Sequence, residues 1–126
     1  MTDLSPGDKL PPFNLPASNG QSLTDGDFRG AALVLYFYPR DDTPGCTKEA
    51  IGFTQFAEAF EKAGAKIVGV SKDSVAKHDK FTAKHRLGIT LLSDEHGDLC
   101  ERMGVWVEKQ MYGKSFMGIE RATFLF

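Results

Sequence analysis

Chemistry in this sequence concentrates in one stretch, Pro39-Arg40-Asp41-Asp42-Thr43-Pro44-Gly45-Cys46. It follows a continuous apolar run, Ala31 to Tyr38, and precedes a segment in which Phe53, Phe56, Ala57 and Phe60 recur at helical spacing. Cys46 therefore falls in the first turn of a helix that begins where a buried strand ends, the place where open α/β sheets hold their ligands. Unpaired N–H groups and the positive end of the helix dipole favour a thiolate there, and a thiolate is a nucleophile at neutral pH. Thr43, three residues earlier across a Pro-Gly turn, brings a hydroxyl that can donate to the sulfur or hold a bound substrate. On position alone the other reading, a small buried cysteine with Thr43 as a helix cap, stays open.

The neighbours of Cys46 narrow the chemistry. A local dithiol is excluded, because Thr43 and Glu49 stand where a second cysteine, separated from Cys46 by two residues, would be. A cysteine protease needs a histidine base, and nothing in the spacing of His78, His85 and His96 selects one. The same three histidines make a poor metal site: His78 and His85 are two helical turns apart, and no Cys or His pair has compact ligand spacing. They read as surface or satisfied histidines, and Asp41 and Asp42 as a solvated loop, since a reactive sulfur needs positive potential beside it.

The elements that must position Cys46 follow from pattern. Pro6, Pro11, Pro12 and Pro16 argue for an extended opening, and Asn19-Gly20 between Phe13–Leu15 and Gln21–Leu23 predicts an N-terminal hairpin. The run Ala31–Tyr38 predicts a strand covered on both faces. A helix over 46–63 stops at Gly64, and Lys66–Ser71 is a second buried strand. Asp73 or Ser74 caps a helix to Leu87. Thr90–Ser93 is a short strand, 98–103 a short helix, and 122–126 a last strand. The alternation implies a single α/β domain, 1–126, built on right-handed crossovers.

Composition sets the outer limits. A chain of 126 residues with 41% hydrophobic content and a net charge of -2 forms one globule and carries no basic stripe for nucleic acid. No apolar run is long enough to span a bilayer, and the start lacks a signal-peptide pattern. Two cysteines are too few for a disulfide framework and read as thiols in the reducing cytoplasm.

Pro39, Thr43 and Cys46 form a Pro-x3-Thr-x2-Cys pattern that resembles the signature of the peroxiredoxins. Gly113-Lys114 and Gly118 to Phe124 resemble the second segment of the bacterioferritin comigratory protein, or peroxiredoxin Q, branch. Gly7 to Phe13, Tyr36-Phe37-Tyr38, Leu92-Ser93-Asp94 and Gly104-Val105-Trp106 extend the likeness over nearly the whole chain. The resemblance implies a thioredoxin-like fold, with a central mixed sheet flanked by helices. It implies a thiol peroxidase acting on hydrogen peroxide and organic hydroperoxides, in antioxidant defence, without cofactor or metal, as a monomer. By resemblance Cys46 is the peroxidatic nucleophile, and Thr43, the Cys46 amide and the Arg121 guanidinium stabilise charge passing from sulfur to oxygen. The same resemblance implies that Glu49 orients Arg121 and that Pro39 shields the sulfur from water.

Two departures stand out. The branch often carries a resolving cysteine five residues after the first, where this chain has Ile51. Cys100 is the remaining sulfur, and a disulfide to Cys46 would need their Cα atoms within about 7 Å. The reading that follows is a one-cysteine cycle, with thioredoxin, glutaredoxin or a small thiol as outside reductant, and Cys100 held as the lesser candidate for a resolving thiol. The chain also stops at Phe126 without the family's further strand and helix, which reads as a truncated representation. A second class of function, a peroxide sensor or holdase-like interaction protein switched by Cys46 oxidation, shares these residues.

Overall fold

The computed structural model describes residues 10–126. Pro6 and Gly7 to Lys9, which the sequence reading includes in the extended opening, lie outside the described residues. Asn14–Pro16 (β1) and Ser22–Thr24 (β2) pair antiparallel, and the chain turns between them with Asn19 and Gly20 both at positive φ, 63° and 72°. The hairpin matches the expected one, shifted by a residue in each strand.

Ala32–Phe37 (β3), Ala65–Ser71 (β4) and Thr90–Ser93 (β5) run parallel, and Ala122–Leu125 (β8) joins the open side of β3 antiparallel, giving the order β5-β4-β3-β8. The parallel crossovers carry Pro44–Lys62 (α1) and Val75–His85 (α2). Leu99–Arg102 (α3) follows β5, and Trp106–Met111 (β6) pairs with Lys114–Ile119 (β7) as a separate hairpin. The sequence reading has no counterpart for that hairpin. Its turn uses Tyr112 at φ 54° before Gly113 at φ 75°, and a tyrosine in the left-handed region hides the usual Asn-Gly or Asp-Gly signal.

Strand β3 is internal and buried on both sides from Leu33 to Phe37, as its unbroken apolar run predicts. Alternation divides the core in two. Leu33, Leu35 and Phe37 join Val68, Val70, Leu92 and the α3 residues Leu99 and Cys100 on one face. Val34, Tyr36 and Tyr38 join Cys46, Ala50, Phe81 and Leu91 under α1 and α2 on the other. Tyr36 lies flat between sheet and helix, stacked on Phe53 of α1 with ring centroids 4.5 Å apart. Its ring crosses β4 at Gly69, where a Cβ would come within 2.7 Å of Cζ, so only glycine admits it.

Helix ends follow local chemistry. Ser74 caps α2 by accepting from the Lys77 amide at 3.2 Å. The helix ends at His85, two residues earlier than expected, because Arg86 itself takes the left-handed conformation at φ 51°. Gly64, at φ 83°, follows the end of α1 as expected.

Candidate active site

The chain leaves β3 at Phe37 and re-enters regular structure at Pro44, whose missing N–H falls where a helix has no carbonyl to meet it. Thr43 is the residue before the helix, and its carbonyl accepts from Thr47 N–H at 2.8 Å. Cys46 thus sits in the first turn, among amides with no helical carbonyl before them, and its residue is 2% exposed. The Thr43 hydroxyl donates to the Arg40 carbonyl at 3.1 Å. Its proton is therefore committed to that carbonyl, while its oxygen lone pairs stay available to accept. Pro39 is exposed at the end of β3.

Arg121 arrives from 75 residues away and donates from Nη2 to Cys46 Sγ at 3.2 Å. It stands in the two-residue link between β7 and β8, pinned where the Glu120 amide donates to the Val105 carbonyl at 2.7 Å. Across the sheet, Ala122 pairs with Phe37, so the register of β8 sets Arg121 beside the exit of β3. Nη1 donates to Glu49 Oε1 at 2.5 Å, one helical turn after Cys46. Partial burial opposes the guanidinium's charge, but the bond to Cys46 and the charges of Cys46 and Glu49 outweigh it and hold Arg121 above its ordinary range. A Cβ at Gly45 would meet Nη2 at 3.4 Å, an ordinary contact, so the approach of the guanidinium does not depend on glycine there.

Asp41 corrects the sequence reading. It is buried, with Oδ2 2.6 Å from His78 Nδ1 and Oδ1 accepting from the Tyr38 hydroxyl at 2.5 Å. Burial first, and then the charge of Asp41, hold the Tyr38 phenol well above its ordinary range, so it stays a donor. Asp42 is exposed as expected but tied to Lys84 at 2.7 Å and His85 at 2.9 Å. Asp41 and Asp42 thus meet His78 and His85, two turns apart on one side of α2. No spacing rule joins residues 37 positions apart.

Cys100 is placed away from Cys46. The two thiols lie in core clusters on opposite faces of the sheet, with β3 and β4 between them. Cys100 is fully buried, and its amide donates to Asp94 Oδ2 at 2.8 Å. Burial and the Asp94 charge push its thiol far above the ordinary range, the opposite of an activated sulfur. The lesser candidacy of Cys100 as a resolving thiol conflicts with this placement, because unwinding the first turn of α1 would not carry Cys46 through the sheet.

A cysteine at a helix N-terminus with a guanidinium on its sulfur, on a four-stranded mixed sheet with helices on both faces, defines a thioredoxin-like thiol enzyme. A family model described as the AhpC/TSA family matches residues 6–126. The chain is 50% identical over 119 residues to a putative peroxiredoxin bcp of Coxiella burnetii, covering 94% of this chain and 79% of that one. It is 42% identical over 125 residues to peroxiredoxin Bcp of Escherichia coli K12, covering 99% and 80%. Peroxiredoxin Q of Xanthomonas campestris superposes with a TM-score of 0.84 at 50% identity, covering 90% and 72%. The chain belongs to the AhpC/TSA family, in its bacterioferritin comigratory protein or peroxiredoxin Q branch. It is a peroxiredoxin, a thiol peroxidase that works through a peroxidatic cysteine.

Proposed function

We propose that Cys46 is that cysteine and that it is re-reduced by an outside thiol. The observation that carries this is the 3.2 Å bond from Arg121 Nη2 to a sulfur in the first turn of α1. The thiolate attacks one oxygen of the peroxide in line with the O–O bond. A sulfur–oxygen bond forms, the O–O bond breaks, and the departing oxide takes a proton to leave as water or alcohol. Arg121 stabilises negative charge on sulfur before attack and on oxygen as it develops. The Thr43 oxygen, its own proton held by Arg40, accepts from the hydroperoxide O–H and orients it. Glu49 keeps the guanidinium fork in plane, and Pro39 limits the approach of water.

The sulfenic acid on Cys46 then meets an outside thiol. A mixed disulfide forms with loss of water, and a second thiol releases Cys46 as its thiol, leaving the reductant as a disulfide. Cys100, across the sheet, takes no part. Thioredoxin, glutaredoxin or glutathione supplies the electrons, in the cytoplasm, to a chain acting as a single-domain monomer. Hydrogen peroxide and small organic hydroperoxides are the substrates. Alkyl peroxide reduction activity is ascribed to the bacterioferritin comigratory protein of Xanthomonas campestris, which is 49% identical to this chain.

Intact-mass spectrometry after one equivalent of hydrogen peroxide, with and without a sulfenic-acid trap, tests the reading. A trapped adduct at Cys46 and no loss of two hydrogens is expected, with no adduct in Cys46→Ser. A Cys46–Cys100 disulfide, or full peroxide consumption by Cys46→Ser, would overturn it. Thr43→Val should slow adduct formation by about tenfold or more, because one substrate contact is lost.

A further inference from the structure

The segment that carries Cys46 is tied down from α2, through its two aspartates. Asp41 has its side chain 4% exposed and His78 0%, and they meet at 2.6 Å. His78 Nε2 lies 2.8 Å from the Leu92 carbonyl, so the two ring nitrogens face Asp41 on one side and the β5 backbone on the other. Tyr38 donates to the other oxygen of Asp41, and the Asp41 amide donates to Asp73 Oδ2 at 2.7 Å. Asp42 sits at φ 60°, in a conformation that asparagine and aspartate tolerate but others rarely adopt, and there it meets Lys84 and His85. Pro44 and the first turn of α1 follow directly.

This segment faces two opposed demands. Attack on peroxide needs Cys46 fixed against Arg121. Reduction needs a thiol to reach a sulfur whose residue is 2% exposed, which requires the first turn to move. Resting on the reading of Cys46 given above, we propose that His78 is a positioning residue, whose buried bond to Asp41 sets how firmly the Pro39–Cys46 segment is held and so divides the cycle between peroxide attack and release of the oxidised sulfur.

A pair of variants separates this from simple core filling. Asparagine at 78 puts its amide about where Nδ1 lies and keeps the bond to Asp41, whereas glutamine reaches about where Nε2 lies and keeps the bond to Leu92. Three rates are read: adduct formation at Cys46 with hydrogen peroxide, return of the sulfenic acid to thiol with glutathione, and amide exchange over residues 40–48 against β4. His78→Gln should slow the first by about tenfold, speed the second, and raise exchange over 40–48 while β4 stays protected. His78→Asn should restore most of each. Tyr38→Phe, which removes one hydroxyl and no ring, should move all three in the direction of His78→Gln by about threefold, and it carries the test if His78→Gln does not fold. Equal effects of Asn and Gln would overturn the proposal, as would parallel slowing of oxidation and reduction, or unchanged rates. A wild-type protein that forms no adduct at Cys46 would instead overturn the reading of Cys46 itself.

Discussion

Replacing Arg121 by alanine removes the cation that lies 3.2 Å from the sulfur. Two unit charges at that distance attract by about 5 kcal/mol at an effective dielectric of ~20 and by about 1 kcal/mol in bulk water. The Arg121 side chain is 40% exposed, so solvent screening brings the value between these limits, to about 2–3 kcal/mol. That corresponds to a fall of roughly 30- to 150-fold in kcat/KM for peroxide, counted from the neutral thiol. The assay is stopped-flow consumption of hydrogen peroxide at saturating reductant, checked by adduct formation on Cys46. Urea unfolding should change by no more than about 1 kcal/mol, because the ion pair with Glu49 is partly exposed. Arg121→Lys should recover only part of the rate, since one ammonium cannot hold sulfur and Glu49 as a planar fork does. A rate within about threefold of wild type in Arg121→Ala would refute the placement of the guanidinium on the reaction path.

Other outcomes follow from the same geometry. Glu49→Gln should slow peroxide consumption by about five- to tenfold, and in the Arg121→Ala background by almost nothing, since Glu49 acts through Arg121; additive losses would contradict that. Cys100 has a thiol pKa raised in the folded state, so above the ordinary value of 9.0 the unfolded chain releases a proton that the folded one keeps. Stability then falls as pH rises through that value, and Cys100→Ala should flatten this alkaline loss in urea melts at pH 8 to 10. Iodoacetamide on the native protein should label Cys46 and spare Cys100, as peptide mapping would report. Gly69→Ala forces a methyl into the Tyr36 ring and should cost about 1–3 kcal/mol of stability, measured by thermal melting.

The strands, crossovers and position of Cys46 are legible in the sequence because local pattern sets them. The run from Ala31 to Tyr38 needs two apolar neighbours, and a helix after it can only return over the sheet. Arg121 is linked to Cys46 only through a family resemblance, since the contact depends on β8 lying antiparallel to β3, a long-range choice that the residues near Arg121 do not encode. The Asp41–His78 pair escapes the sequence reading for the same reason: an aspartate in a polar loop carries no mark of burial until its partner comes from the next crossover. The β6–β7 hairpin is hidden because its exposed strands, with Met111, Phe116 and Met117 open to solvent, show no clean alternation and its turn starts with a tyrosine.

The pairing of β8 with β3 also makes the sheet a timing gauge for chemistry. Strand side chains change face at every residue, so a slip of one position between Phe37 and Ala122 would preserve most of the ladder yet carry Arg121 some 3.3 Å along the sheet, with the strand's faces exchanged. Such a protein would look folded by circular dichroism and be chemically mute. The residues that hold that alignment, Phe124 edge-on to Phe37 with ring centroids 5.9 Å apart, and Phe126, joined to Leu33 through paired backbone bonds, never touch a peroxide. They belong to the peroxidase activity as much as to the core.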